Sequence, residues 1–147
     1  MHILLAIGRV LLVLIFILSG ATKLLDISGT AAQIAPVVTI PDALADFTMQ
    51  LQDATGMQVP YLLAVLAGIV EVVAGLLVAF NIATRSAAAV LAIFTLVTTF
   101  YFHAFWNMSG ELMQSNMIHA LKNLSIIGGL LAFVVLGSWR PARSDEI

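Results

Sequence analysis

The stretch from Val59 to Phe80 reads VPYLLAVLAGIVEVVAGLLVAF. It is long enough to cross a bilayer as a helix, which takes about 20 mostly apolar residues. Its one charged residue is Glu71, close to the middle. A carboxylate at that depth costs about 3 kcal/mol or more on insertion scales, and such residues face a partner or a wet cavity. The stretch therefore predicts a transmembrane helix that turns a carboxylate towards the rest of the protein.

The composition of the whole chain is that of a membrane protein. Of its 147 residues, 61% are hydrophobic and 10% are charged, whereas soluble domains are about 25% charged. The mean hydropathy is +1.08. The net charge of −2, with no basic tract, argues against nucleic acid and leaves the lipid bilayer as the expected partner. The chain has no cysteine, which excludes disulfides, thiol redox chemistry, iron–sulfur ligation and attached haem.

Four apolar segments have the length that a membrane-crossing helix requires. They are residues 3–25, 60–80, 86–106 and 117–136. Because lipid offers the backbone no hydrogen bonds, these segments must be helical. The predicted fold is an all-α, integral membrane four-helix transmembrane bundle, formed by one domain over residues 1–147. A cleaved signal peptide at the first segment is the weaker interpretation, because Arg9 interrupts it and no basic region precedes it.

The first connection, residues 26–58, is long and polar. Within it, residues 42–53 carry Leu44, Phe47 and Leu51 at helical spacing, which predicts a short amphipathic helix. Long loops in compact proteins are usually functional or disordered. We therefore expect this segment to cover a site on its side of the membrane.

The cations predict how the chain lies across the membrane. With four spans, both termini and the short link between spans two and three share one side, which holds Arg85, Arg140 and Arg143. The positive-inside rule then predicts that both termini are cytoplasmic. Aromatic residues near span ends are expected to anchor at the interface: Tyr101, Trp106 and Trp139.

Arg9 is the natural candidate to neutralise Glu71. At 1.5 Å per residue, Arg9 lies about 9 Å from the predicted cytoplasmic end of the first span. Glu71 lies about 14 Å from the predicted cytoplasmic end of the second span. An ion pair between them would remove two unpaired buried charges at once. The sequence thus predicts a structural ion pair between Arg9 and Glu71. The alternatives are that Glu71 transfers a proton or binds a ligand, as a catalytic residue would, or that it is protonated and unpaired.

A second polar group lies towards the outer side. It consists of Lys23, which ends the first span, His103, which ends the third, and Lys122 and Asn123, which open the fourth. Antiparallel helices bring these residues to similar depth, where they would supply donors to a quinone carbonyl, a phenolate or a small anion. We predict a cavity that opens outwards, with Glu71 as its floor, these residues around it and residues 42–53 over its mouth. The simpler interpretation of Lys23 is a cation that reaches the interface.

Two histidines, His103 and His119, lie near this group. In principle they could ligate haem or a metal from facing helices. Two histidines without a set of cysteines or carboxylates are a poor metal signature. We therefore predict no metal site and no covalent cofactor.

The order of these motifs resembles the DoxX family of small bacterial inner-membrane proteins. The similar pieces are an Arg followed by Ser-Gly-x-x-Lys, at Arg9 and residues 19–23, and Gly-x-x-Glu-x-x-x-Gly, at residues 68–75. The Arg85 turn, residues 103–106 and residues 122–129 are similar too. The resemblance implies a four-helix bundle in the bacterial inner membrane. In the family that the chain resembles, some members are linked to quinone-coupled oxidation of sulfur compounds, and others to oxidative-stress complexes with soluble redox partners.

Three functions follow as hypotheses. The first is a redox-associated membrane subunit in which the cavity holds a quinone or a similar small aromatic, next to an aromatic rim at Tyr101, Phe105 and Trp106. Such a subunit would need a soluble or membrane redox partner. The second is a small-solute transporter or exporter, since buried charges also mark ion paths. The third is a non-catalytic scaffold for partner proteins. Whether the chain is an enzyme and whether it forms a homo-oligomer are left open by the sequence.

Overall fold

The computed structural model describes residues 2–137, and this range is helical almost throughout. The helices are α1 (His2–Leu25), α2 (Ile27–Ile34), α3 (Ala45–Thr55), α4 (Val59–Ala79), α5 (Thr84–Phe102) and α6 (Gly110–Leu136). Two short 3₁₀ turns, Asp42–Leu44 and Phe105–Asn107, precede α3 and α6. The predicted anchor Trp139 and the cations Arg140 and Arg143 lie outside the described residues.

Four helices in the described range are long and apolar enough to cross a membrane. They are α1, α4, α5 and α6. The predicted all-α bundle of four spans is confirmed. Two boundaries differ, because α5 ends at Phe102 and α6 begins two turns before residue 117, at Gly110. The extra turns of α6 are polar and include Glu111, so helical periodicity continues beyond the apolar segment that marks the span.

Helices α1 and α4 pack most closely, along small residues. A Cβ atom on Gly20 would lie 2.7 Å from the carbonyl oxygen of Gly68 and 2.8 Å from the Cβ atom of Glu71. One on Gly75 would lie 2.8 Å from the side chain of Ile17. Small residues let transmembrane backbones approach in this way. The contact fixes the vertical register of the two helices and so decides which polar residue meets Glu71.

The main hydrophobic core fills the half of the bundle that contains the α4–α5 turn. It is made of buried residues from all four spanning helices: Val13, Phe16, Ala74, Val78, Ala87, Ala88, Leu91, Ala92 and Leu130. A separate, smaller cluster lies at the opposite end of the bundle, where Ala31 and Ile34 of α2 pack on Ala64 of α4. The polar cavity described below lies between the two clusters.

Helix α2 is not evident from the sequence pattern. Helix α1 ends at Leu25, and Asp26 then caps a new helix by accepting a hydrogen bond from the Gly29 backbone N–H at 2.9 Å. The segment is short and rich in small and polar residues, which hides it in a hydropathy pattern. Because α2 packs against the N-terminal half of α4, it extends the bundle beyond the end of α1.

Residues 42–53, for which the sequence predicts a short amphipathic helix, lie in the 3₁₀ turn Asp42–Leu44 and in α3. Helix α3 ends at Gly56, whose φ of 69° is the left-handed conformation that glycine adopts at helix ends. Its large apolar residues Phe47 and Met49 are exposed. Its main contacts within the described residues are with the preceding 3₁₀ turn, so it stands apart from the bundle.

Candidate functional site

Glu71 forms a buried ion pair with Lys23. The Lys23 ammonium donates to Glu71 Oε2 at 2.9 Å and to Ser19 Oγ at 2.5 Å. Ser19 and Lys23 are four residues apart on α1, so they share a face and both reach α4. The Glu71 side chain is 6% exposed and the Lys23 side chain 27%. A charge that is costly in lipid is thus balanced inside the bundle.

The predicted pair between Arg9 and Glu71 is not the one that the structure contains. Arg9 lies at the opposite end of α1, and its Nε is buried without a hydrogen-bond partner among the described residues. The reason is register. Gly20 packs against Gly68 and Glu71, so Arg9 lies about 16 Å further along the helix axis at 1.5 Å per residue. The ends of the apolar segments therefore do not give the relative depth of Arg9 and Glu71 in the bundle.

A cavity of about 350 Å³ opens beside the ion pair. This volume falls in the range of about 300–1,000 Å³ that is usual for small-molecule sites. Its polar lining residues are Ser19, Lys23, Thr30, Gln33, Glu71, Thr95, Thr98, His103 and Asn123. Its apolar lining residues are Ile15, Phe16, Ile34, Ala67, Phe94, Phe102 and Ile126. The cavity therefore combines a polar strip with an apolar wall, as a site for a small amphiphilic molecule does.

The free hydrogen-bonding groups of the cavity can be read from those already in use. Lys23 has three N–H groups, and Ser19 and Glu71 accept from two of them, which leaves one donor. The Asn116 amide nitrogen donates to a backbone carbonyl, which identifies the other side-chain atom as the oxygen. That oxygen lies 3.0 Å from His103 Nδ1 and accepts a hydrogen bond from the Nδ1–H group. In a neutral His103, Nε2 then remains as an acceptor. The cavity thus has both a donor and an acceptor for a ligand.

The threonines of α5 complete the polar strip. Thr95 is buried and donates to the Leu91 carbonyl at 2.7 Å, and Thr98 donates to the carbonyl of Phe94 at 3.0 Å. Because each hydroxyl proton is used within the helix, the oxygen atoms are left as acceptors. These hydroxyls make the wall polar without adding charge.

Four of the five predicted site residues line this cavity, namely Glu71, Lys23, His103 and Asn123. Lys122 does not, and it is exposed. Asn123 points towards α5, where its Nδ2 donates to Thr99 Oγ1 at 2.9 Å. Successive residues of an α-helix lie about 100° apart around the axis, so the neighbour of an inward-facing Asn123 points outwards. The predicted ligand-binding role of Lys122 has no support in this geometry.

The predicted lid is also different in the structure. Thr30, Gln33 and Ile34 of α2 form the outer wall of the cavity, and no residue of the 42–55 region lines it. The first connection does cover the site, but through its first helix. The amphipathic α3, which periodicity singles out, lies elsewhere.

The aromatic residues of the cavity are Phe16, Phe94 and Phe102, instead of the predicted rim. Tyr101 and Trp106 are exposed, and Trp106 packs on Phe100 and Phe105 at ring-centroid distances of 5.6 and 5.2 Å. Both exposed rings lie at or just after the C-terminal end of α5, where they suit the predicted role as interface anchors.

The rings of His103 and His119 stack with centroids 5.1 Å apart. This brings together the two histidines that sequence analysis considered for metal binding. Among residues 2–137, no group of three or more His, Cys, Asp or Glu side chains is close enough to hold a metal ion. Of the two histidines, His103 lines the cavity and His119 stacks behind it.

Sequence reasoning missed several lining residues: Ser19, Thr30, Gln33, Thr95 and Thr98. A usable signal was present on α1 and α5. Ser19 precedes Lys23 by one helical turn, and Thr95 and Thr98 lie on one face of an otherwise apolar span. Nothing comparable marks Thr30 and Gln33, because their segment was not predicted as a helix.

These features define a multi-pass α-helical membrane protein with a charge-paired polar cavity inside its bundle. The DoxX family model matches residues 4–104, which include α1 to α5 and most of the cavity. The chain belongs to the DoxX family.

Two relatives come from Escherichia coli strain K12. Inner membrane protein YphA is 32% identical over 135 residues, which is 92% of this chain and 84% of the relative. Inner membrane protein YqjF is 30% identical over 131 residues, which is 89% of this chain and 82% of the relative. No solved structure matches the chain. With these relatives and its four apolar helices, the protein is a multi-pass inner-membrane protein that sits in a lipid bilayer.

Proposed function

We propose that the cavity binds a small, uncharged, partly polar ring compound, and that a quinone head group is the ligand to test first. The observation that carries this proposal is the Lys23–Glu71 pair at the wall of a cavity of about 350 Å³. The two charges balance each other, so the cavity suits a neutral ligand. The phenylalanine side chains suit a flat ring, and the free donor and acceptor suit its oxygen atoms.

Each polar residue then has a role. Lys23 donates its remaining N–H to a carbonyl oxygen of the ligand, and His103 Nε2 accepts from a hydroxyl when the ligand is reduced. Oxidation of a hydroquinone releases two electrons to the redox partner and two protons; the Glu71 carboxylate takes one proton by way of Lys23, and His103 Nε2 takes the other. Asn123 contributes its amide oxygen and its second amide N–H, because Thr99 accepts from only one of the two. Lys122 has no role in this scheme, because it is exposed.

The test measures equilibrium binding of a short-chain quinone to the purified protein in detergent, with quenching of tryptophan fluorescence as the signal. Ala67→Phe fills the cavity from its apolar wall and is expected to abolish binding. Asn123→Leu is expected to weaken it about tenfold, the usual effect of losing one good polar contact. Lys122→Gln is the matched control, since it changes the adjacent, exposed residue, and it should bind as the unaltered protein does.

Two results would contradict the proposal. One is that no quinone binds at concentrations well below its solubility limit. The other is that Ala67→Phe binds as tightly as the unaltered protein, which would put the quinone elsewhere. Flux of a small solute through proteoliposomes, lost on Glu71→Gln, would favour the transporter hypothesis instead.

A redox role also implies partners. The chain has no cysteine, so we infer that electrons pass between the quinone and a soluble or membrane redox partner. The exposed α3, with Phe47 and Met49, is a surface where such a partner or a second copy of the chain would bind. Purification from membranes after mild crosslinking, with and without α3 substitutions, tests both possibilities.

We also propose that residues 1–147 form one domain with both termini in the cytoplasm. The motivating observations are the packing of α6 against α1 and α5 and the cation Arg85 at the α4–α5 turn. A fusion of alkaline phosphatase to the C-terminus is expected to be inactive, and a fusion of green fluorescent protein there to be fluorescent. The reverse pattern would place the C-terminus and the α4–α5 turn outside.

A further inference from the structure

The bundle has a second cavity at the end opposite to the first. It has a volume of about 180 Å³ and is lined by Leu5, Ala6, Arg9, Asn81, Phe133, Leu136 and Gly137. These residues come from the start of α1, the α4–α5 turn and the end of α6. The cavity is too small for most drug-sized ligands, whose sites are about 300 Å³ or more. It is large enough for a compact group attached to a larger molecule.

Arg9 is the only charged residue among those that line this cavity. Its Nε is buried and has no hydrogen-bond partner among residues 2–137. Glu71, the acid that sequence analysis assigned to it, is occupied by Lys23. Arg9 is partly buried, and an anion in the cavity would accept from its Nε and balance its charge.

Asn81 adds a second donor. The Oδ1 atom of Asn81 accepts from the Thr84 hydroxyl at 3.0 Å, so the amide NH₂ group is left to donate. The residue has a left-handed backbone with φ of 61°, which asparagine tolerates better than most residues. A guanidinium and an amide NH₂ at one cavity are suited to bind the oxygen atoms of a phosphate.

A second cation lies beside the cavity. The Arg85 guanidinium donates to the Val135 carbonyl at 3.3 Å, and its side chain lies against Gly137, which lines the cavity. Arg9 and Arg85 therefore both raise the positive potential at the inner end of α6. The remaining lining is apolar, and Leu5 and Leu136 are partly exposed on the outer surface of the bundle. An apolar rim of this kind suits the lipid part of a ligand better than it suits a free ion.

We propose that this cavity binds the phosphate group of an anionic phospholipid from the membrane leaflet at the α4–α5 turn. The phosphate contacts Arg9 and Asn81, and the glycerol and first acyl carbons contact Leu5 and Leu136. Basic pockets between transmembrane helices are known to bind anionic head groups in this manner. The site is independent of the quinone proposal, because the two cavities share no lining residue.

The test uses the full-length protein in a neutral detergent and measures thermal unfolding with added lipid. Phosphatidylglycerol is expected to raise the Tm, phosphatidylcholine to raise it much less, and inorganic phosphate to have no effect. Arg9→Gln is expected to weaken the apparent affinity for phosphatidylglycerol about tenfold, the effect of losing a charge-assisted hydrogen bond. Lys122→Gln removes an exposed cation at the other end and should respond as the unaltered protein does.

Ala6→Phe provides a second variant that keeps every charge and blocks the cavity. Native mass spectrometry of this variant is expected to lose the bound phosphatidylglycerol that the unaltered protein carries. Stabilisation by inorganic phosphate to the same extent would show a site for a free anion and overturn the lipid assignment. Equal stabilisation of Arg9→Gln and the unaltered protein by phosphatidylglycerol, or a lipid still bound to Ala6→Phe, would overturn the site itself.

Discussion

Replacing Lys23 with Met is expected to lower the free energy of unfolding by about 3 kcal/mol, the lower end of the range for breaking a buried ion pair. The physical reason is that Glu71, whose side chain is 6% exposed, loses the ammonium 2.9 Å away. The value is at the lower end because the Lys23 side chain is 27% exposed. Unfolding by sodium dodecyl sulfate in mixed micelles, followed by circular dichroism, measures the change.

The double variant Lys23→Met with Glu71→Leu is the decisive comparison. Replacing a buried ion pair by apolar residues is often neutral, so this protein should recover most of the stability that the single variants lose. Arg9→Leu with Glu71→Leu is the matched control, and its two effects should simply add, because Arg9 is about three helical turns away. Strong coupling of Glu71 to Arg9, with none to Lys23, would contradict the register of α1 against α4 described above.

The same double variant separates structure from function. If it is stable but no longer binds a quinone, then Lys23 and Glu71 contact the ligand or its proton. If it is stable and binds normally, then the pair serves only to hold α1 against α4. The scaffold hypothesis would then be the better account of the protein, since neither charge would have a chemical role.

The membrane fold was predictable because it depends on composition and length. Four apolar segments of about 20 residues leave few alternatives when the backbone must bond to itself. The ends of the helices were less predictable, as the early start of α6 at Gly110 shows. Polarity marks where a helix leaves the lipid, while hydrogen bonding and capping decide where it ends.

The sequence predicted a polar site around Glu71, but it did not predict which cation pairs with Glu71. That Glu71 faces inwards followed from the cost of a carboxylate in lipid. Its partner depended on the vertical offset between α1 and α4, and that offset is set by the contact of Gly20 with Gly68. A shift of a few residues along a helix changes which cation meets Glu71, and single-span hydropathy contains no such information. The wall formed by α2 was missed for a related reason, because its short helix is defined by a cap at Asp26 and by packing on Ala64.

The contact between α1 and α4 leads to the second large effect. Replacing Gly20 with Ala is expected to lower the free energy of unfolding by about 2–3 kcal/mol, the upper part of the range for overpacking. The added Cβ atom would lie 2.7 Å from the Gly68 carbonyl oxygen and 2.8 Å from the Cβ atom of Glu71. Neither atom belongs to the flexible end of a side chain, so the helices themselves must separate. The same unfolding experiment in mixed micelles measures the loss.

Gly8→Ala is the matched control for this prediction, since Gly8 lies on the same helix and a Cβ atom there would meet nothing within 4 Å. Alanine is also the better helix former, by about 1 kcal/mol in water, so this variant should be as stable as the unaltered protein or slightly more so. The Gly20 substitution should in addition weaken quinone binding, because it moves α1, which carries Lys23, away from Glu71. A Gly20→Ala protein with unchanged stability would mean that α1 and α4 are further apart than described, and the Lys23–Glu71 pair would then lose its structural basis.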